Sequence, residues 1–146
     1  MMPDMAAIEI RRALPADAEA VLALWRAADA TASVTDTLAD VRAIAGRPGA
    51  VFCLAIDVDG GGRVVGSLLG TFDGWRGQLY RLAVHPAHRR HGVARALVRE
   101  VETALVASGA RRINALVEKS RPDAAQFWKA VGYPLDEGMS RHVRDV

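Results

Sequence analysis

Residues 81–98 read RLAVHPAHRRHGVARALV. An apolar run, Leu82-Ala83-Val84, enters the stretch and a helical pattern leaves it. Between them Arg89, Arg90, His91, Gly92 and Arg95 concentrate positive charge around one glycine. A strand-to-helix turn of this kind suits an anion. The first N–H groups of a helix lack intrahelical partners, and the helix dipole adds partial positive charge there. Glycine lets a ligand come close to the backbone. The N–H groups of His91, Gly92, Val93, Ala94 and Arg95 are expected to cradle a phosphate or pyrophosphate, with Arg89, Arg90 and Arg95 adding charge-assisted contacts. Two other readings fit the same residues. One is a solvated helix start with scattered arginines. The other is a metal site on His85, His88 and His91, spaced by three. Pro86 interrupts any helix there and the guanidiniums oppose a divalent cation, so no metal is expected.

Outward from this turn the chain alternates helices and strands. AAIEIRRA (6–13) alternates apolar and polar residues as a strand does. In residues 14–29, Ala18, Val21, Leu22 and Trp25 recur at helical spacing, and Asp17 is placed to cap or charge the first turn. Residues 35–49 read as a second helix, capped by Thr35 or Asp36, with Leu38, Val41 and Ile44 on its apolar face and Gly46 at its end. The two apolar runs within residues 50–72 flank Gly60, Gly61 and Gly62, as in a hairpin. That glycine run precedes a strand and lacks a following Gly-Lys-Ser/Thr, so it is not a phosphate loop. DGWRG (73–77) is a loop, QLYRLAVH (78–85) a strand, and residues 91–110 a long helix ending near Gly109. RRINALVE (111–118) is a strand and residues 121–133 hold a short helix, with Pro122 in its first turn and Gly132 past its end. The tail, 134–146, has room for two short strands around Gly138. The order β-α-α-β-β-β-α-β-α-β-(β) predicts an α/β, or α+β, mixed sheet flanked by helices, and not a purely parallel one.

The chain has 146 residues, which suits one domain, 1–146, around a single core. With 19 basic and 17 acidic side chains the net charge is only +2, too small an excess to mark a nucleic-acid binder. Cys53 is the only cysteine, so neither an intramolecular disulfide nor a multi-cysteine zinc site can form, and its apolar surroundings predict burial. The first ten residues lack the pattern of a signal peptide. No apolar run approaches the roughly 20 residues of a membrane span. A cytoplasmic protein without membrane or nucleic-acid partners is expected.

The six residues Arg89-Arg90-His91-Gly92-Val93-Ala94 match the Q/R-x-x-G-x-G/A signature of the Gcn5-related N-acetyltransferases, the GNAT family. LAVHPAHRRHGVARALV resembles that family's whole strand–turn–helix unit, and AAQFWKAVGY resembles its later helix, usually A-x-x-F-Y-x-x-x-G-F. The element order follows the family's topology nearly end to end. DGWRGQLYRLAV is also similar to small bacterial members of unsettled substrate. The resemblance implies a GNAT-like fold, an acyl-CoA co-substrate, most often acetyl-CoA, and an amine-bearing acceptor, small molecule or peptide. By position it implies pantetheine contacts from the backbone of Leu82, Ala83 and Val84, and pyrophosphate on residues 90 to 95. Phe127 and Trp128 would line the other side of the co-substrate. Arg121 stands where many members have an asparagine that contacts it.

The implied reaction is direct attack of an amine on the thioester, with the developing oxyanion held by a strand N–H near Ala83. Many members have tyrosine where this chain has Trp128, and an indole is no proton donor. The thiol, with a pKa of about 8.5, can instead leave as thiolate. Asp73, Tyr80 and Glu118 are the candidate bases, though for each taken singly a loop or surface acid or a packed aromatic is the more favoured reading. Trp75 and Arg76 are placed to shape an acceptor pocket, with Trp25 to Asp36 as its opposite wall, and Arg76 and Arg81 suggest an acceptor bearing negative charge. A GNAT-like protein that binds acyl-CoA without turnover, and a nucleic-acid binder using the arginines, are the alternatives. An edge strand in the tail would allow a homodimer.

Overall fold

Residues 50–57 are apolar at every position but Asp57, and residues 63–72 combine Val64, Val65, Leu68, Leu69 and Phe72 with small residues, the pattern of strands covered on both faces. In the computed structural model, which describes residues 7–146, they form the centre of the sheet. The elements run β1 (Ile8–Arg12), a 3-10 turn (Pro15–Asp17), α1 (Ala18–Ala27), α2 (Leu38–Ala45), β2 (Ala50–Asp57), β3 (Arg63–Phe72), β4 (Gly77–Val84), a second 3-10 turn (Pro86–His88), α3 (Val93–Ala107), β5 (Ile113–Ala115) and α4 (Pro122–Ala130). The sheet order is β1-β2-β3-β4-β5. All neighbours are antiparallel except β4 and β5, which are parallel. The predicted mixed sheet, hairpin and crossover helix are all present.

Alternation along β2 divides the core. Val51, Cys53 and Ala55 face one cluster with α3, whereas Phe52, Leu54 and Ile56 face the other with α1 and α2. Cys53 is fully buried, and burial pushes its thiol pKa up, as suits a packing role. Helix α3 inserts Val93, Leu97, Val98, Val101 and Leu105, all buried. Each such side chain contributes about 1.5–3 kcal/mol of transfer free energy. Close approach of α3 depends on Gly70, where a Cβ would land inside contact distance of Val101 Cγ1.

Several local expectations differ from the structure. Helix α2 is capped by Thr37, whose hydroxyl accepts from Asp40 N at 3.1 Å, and not by Thr35 or Asp36. Thr37 has the extended backbone that a capping residue requires. Asp17 makes no side-chain cap to α1. It accepts from Leu14 N at 2.7 Å and takes both arms of Arg11 at 2.8 and 3.0 Å. Strand β5 keeps only the centre of the predicted 111–118 run. The tail, 134–146, forms no strand, so the expected edge pairing through it has no basis. Its Leu135, Met139 and Val143 stay exposed, and two short strands without a covered face are at best marginal in water. Among the described residues no helix is long and apolar enough to cross a membrane. Residues 1–6, which include the start of the first predicted strand and most of the stretch read for a signal peptide, lie outside the described residues.

Candidate active site

An arginine in an apolar strand is unusual, and Arg81 marks an irregularity in β4. Its φ is +57°, in the left-handed region, where the β3–β4 register shifts between Ser67 and Leu69. A non-glycine residue there costs roughly 1 kcal/mol or more and needs support. Buried Ser67 supplies it. Its hydroxyl donates to Arg81 O at 2.8 Å and accepts from Trp25 Nε1 at 2.9 Å. The Arg81 side chain then reaches the α1–α2 connection. It donates to Thr31 O at 2.8 Å and to both Asp36 carboxylate oxygens at 2.7 Å, with its guanidinium 4.9 Å from the Trp25 ring centroid.

At this bulge the sheet opens. β5 pairs with β4 only over Gly77–Leu79, with Leu116 N donating to Leu79 O at 3.2 Å. From Tyr80 onward no strand lies beside β4 on that side among the described residues. Leu82, Ala83 and Val84 therefore border an opening between parting strands. Two arginines span its ends. Arg89, after the 3-10 turn that follows β4, donates to Val84 O and Ala28 O, both at 3.2 Å, and Arg121, immediately before α4, also donates to Ala28 O at 3.2 Å. Ala28 ends α1, and cations are favourable at that end of a helix dipole.

Beyond β4 the backbone makes an anion cradle. Arg89 is extended (ψ 151°), and Arg90 (φ 66°) and Gly92 (φ 78°) are left-handed. Intrahelical bonding in α3 begins with Ala96 N donating to Gly92 O at 3.0 Å, so the N–H groups of Val93, Ala94 and Arg95 precede any helical partner. Arg90, His91, Gly92 and Arg95 are exposed around them. These residues fit a diphosphate in kind: amides without helical partners, a glycine and two exposed guanidiniums. Arg89 differs from expectation, because its guanidinium is held by Val84 O and Ala28 O. His85 and His88 have other partners. His85 Nδ1 accepts from Ala87 N at 3.2 Å, and His88 Nε2 lies 3.1 Å from Asp57 Oδ2.

The remaining candidates divide. Half-buried Tyr80 adjoins the bulge, opposite Leu69. Glu118 stands across the opening, but its Oε1 accepts from Thr31 N at 3.0 Å, and that bond is the first cause holding its carboxyl below the usual range. Asp73 is not at the site. It lies in the β3–β4 turn, and β4 separates it from the bulge by about 15–20 Å at 3.3 Å per residue. Its Oδ1 accepts from Trp75 N and Arg76 N, each at 2.8 Å, which lowers its pKa. Arg76 is beside Trp75 in that same remote turn, and Arg81 is spent on Asp36, so neither is free for an acceptor's charge at the bulge. Phe127 is half-buried, whereas Trp128 is 4% exposed and packs edge-on to Phe127 and Tyr133 in the core. Sequence reasoning missed Ser67 and the structural role of Arg121, and it placed Ala28 and Thr31 only within the wall from Trp25 to Asp36, without their bonds. Ser67 left a signal, as a hydroxyl in the apolar run VVGSLLG.

The family model described as Acetyltransferase (GNAT) family matches residues 18–133. A Sodalis glossinidius protein named acetyltransferase is 31% identical over 132 residues, covering 90% of this chain and 91% of its own. The crystal structure of the PaiA N-acetyltransferase from Thermoplasma acidophilum, in complex with coenzyme A, has a TM-score of 0.79 at 16% identity, covering 89% of this chain and 91% of that one. An aminoglycoside acetyltransferase from an uncultured soil metagenomic sample, in complex with sisomicin, has a TM-score of 0.76 at 14% identity, with 97% of each chain covered.

Proposed function

The chain belongs to the acetyltransferase (GNAT) family, and we propose that residues 1–146 act as one N-acetyltransferase domain that moves an acetyl group from acetyl-CoA to a primary amine. The observation that carries this reading is the open edge of β4 running directly into the amide cradle at the start of α3. Acetyl-CoA, when bound, supplies the acyl thioester. The amides of Val93, Ala94 and Arg95, with Arg90, Arg95, His91 and Gly92 around them, hold its diphosphate. The backbone of Leu82, Ala83 and Val84 flanks its pantetheine arm, with Phe127 on the α4 side. An N–H near Ala83 is placed to hold the oxyanion.

The carboxylates narrow the acceptor. Asp36 is bound to Arg81, Glu118 accepts from Thr31, and Asp73 is remote. None offers a free, basic carboxylate at the bulge, and the remaining candidate there, Tyr80, is a phenol, which as a neutral group does not take a proton from an ammonium. Deprotonating a lysine-like amine at pH 7 costs about 4–5 kcal/mol, against about 1 kcal/mol for an α-amine. We therefore assign the acceptor as an amine of lowered pKa, such as a peptide or amino-acid α-amine, that loses its proton to water before it attacks. With Trp128 buried, the carbon–sulfur bond breaks to release the thiolate, the attacking nitrogen gives up its remaining extra proton to water, and the thiolate takes a proton from water. A lone buried Cys53 suits a reducing compartment, and the reaction is assigned to the cytoplasm.

Thiol release from acetyl-CoA across amines of graded pKa tests this. Rates corrected for the neutral amine should follow one line, and kcat/KM should rise with pH up to the acceptor's own pKa. A limb set by an enzyme group, unmoved when the acceptor changes, refutes the base-free reading. A melting temperature unchanged by millimolar acetyl-CoA refutes the family chemistry itself.

A further inference from the structure

A groove of about 390 Å³ lies away from the bulge, at the far end of β4, and is lined by Gly74, Trp75, Arg76, Gly109, Arg111 and Arg112. Trp75 is 72% exposed, whereas Trp25 and Trp128 are buried. The indole is also held in place. Asp73 Oδ1 accepts from the N–H groups of Trp75 and Arg76, fixing the turn, and the Arg76 guanidinium sits 4.3 Å over the Trp75 ring. Across the groove Arg112 O accepts from Gly77 N at 2.9 Å, so the backbone that presents Arg111 and Arg112 is fastened to β4.

The charges there are only partly balanced. Asp73 accepts from its own turn's backbone and acts on Arg76 through its charge, and Asp136 lies 3.7 Å from Arg112 with both side chains more than half exposed, so two carboxylates stand against three guanidiniums. The last carbonyls of α3 are satisfied by the N–H groups of Ser108, Gly109 and Ala110. Three guanidiniums thus line the groove with the exposed indole, Arg76 directly over its ring, against two nearby carboxylates, Asp73 and Asp136. Guanidinium forks match carboxylates, and an indole face takes an apolar side chain.

We propose that this groove docks an acidic polypeptide segment carrying a bulky apolar residue among its carboxylates. Charge complementarity and the single bare ring favour this over nucleic acid. Single-stranded nucleic acid needs successive aromatic platforms along a continuous basic track. Here the other arginine cluster, Arg89 to Arg95, lies a full strand away, more than about 20 Å.

Because Trp75 is the exposed indole, its fluorescence reports on the groove. The probes are acetyl-Glu-Glu-Phe-Glu-Glu-amide, its Lys-for-Glu counterpart and a ten-nucleotide oligothymidylate. The acidic peptide should shield Trp75 from acrylamide quenching in a saturable way, and the basic peptide should not. Binding should weaken about tenfold or more in an Arg111→Glu, Arg112→Glu double variant and on raising salt from about 0.05 to 0.5 M. Arg111→Gln, Arg112→Gln serves as the milder variant if the charge reversal misfolds. Stabilisation by acetyl-CoA should be unchanged in either, which separates this site from the acetyl-transfer reading. Equal peptide affinity in both variants, no shielding at millimolar peptide, or tighter binding of the oligothymidylate would overturn the proposal.

Discussion

Replacing Ser67 by alanine tests the link between the two faces of the bulge. Ser67 is 0% exposed and makes two hydrogen bonds, accepting from Trp25 Nε1 at 2.9 Å and donating to Arg81 O at 2.8 Å. Alanine removes both and leaves a buried donor and a buried acceptor that water cannot reach. Each orphaned group costs about 1–3 kcal/mol, so after partial relaxation Ser67→Ala should lose about 2–4 kcal/mol. At roughly 3 °C per kcal/mol for a chain of this size, melting should fall by about 6–12 °C. The assay is urea unfolding of the parent, Ser67→Ala, Trp25→Phe and the double variant. In the Trp25→Phe background only the Arg81 carbonyl is orphaned by Ser67→Ala, so the cycle should show a coupling of about 1 kcal/mol. Additive losses, or a Ser67→Ala variant within about 0.5 kcal/mol of the parent, would mean that the left-handed Arg81 is supported by something other than this relay.

Three further outcomes are expected. Gly92→Glu should abolish stabilisation by acetyl-CoA while preserving circular dichroism, because it puts like charge where the diphosphate binds; unchanged affinity by calorimetric titration contradicts the cradle. Gly70→Ala should destabilise by about 1–3 kcal/mol, since its methyl meets Val101 Cγ1 and α3 must move off the sheet; an unchanged urea midpoint contradicts that packing. The Arg11 guanidinium, then the Leu14 N–H, hold the Asp17 carboxyl below its usual range against the opposing effect of burial. The pair's stabilisation is therefore complete above the unfolded value of about 3.9 and is lost as pH falls through the lower folded value. Asp17→Asn should flatten the dependence of the urea midpoint on pH below about 4, and parallel curves for parent and variant would rule the pair out.

The anion cradle and the mixed sheet were legible because they are written in neighbouring residues. A glycine, its flanking arginines and the helical pattern after them lie within one short stretch. Hairpin, crossover and helix periodicities are likewise local. The bases were not legible in the same way. Asp73, Tyr80 and Glu118 looked equivalent along the chain, yet Asp73 closes its own turn, Glu118 is held by Thr31, and only Tyr80 borders the bulge without such a commitment in the described bonds.

What the chain's order determined by itself was element type and the strand-to-helix turn on which the diphosphate is proposed to sit, since these follow from backbone preferences and periodic burial over a few residues. Tertiary structure alone decided which polar groups meet. Trp25 and Ser67 are 42 residues apart, Asp36 and Arg81 45, Thr31 and Glu118 87, and Ala28 and Arg121 93. No local propensity encodes such pairs. They arise when packing of the two apolar faces brings distant side chains to one opening, where each buried or half-buried polar group must find a partner or lose its hydration uncompensated.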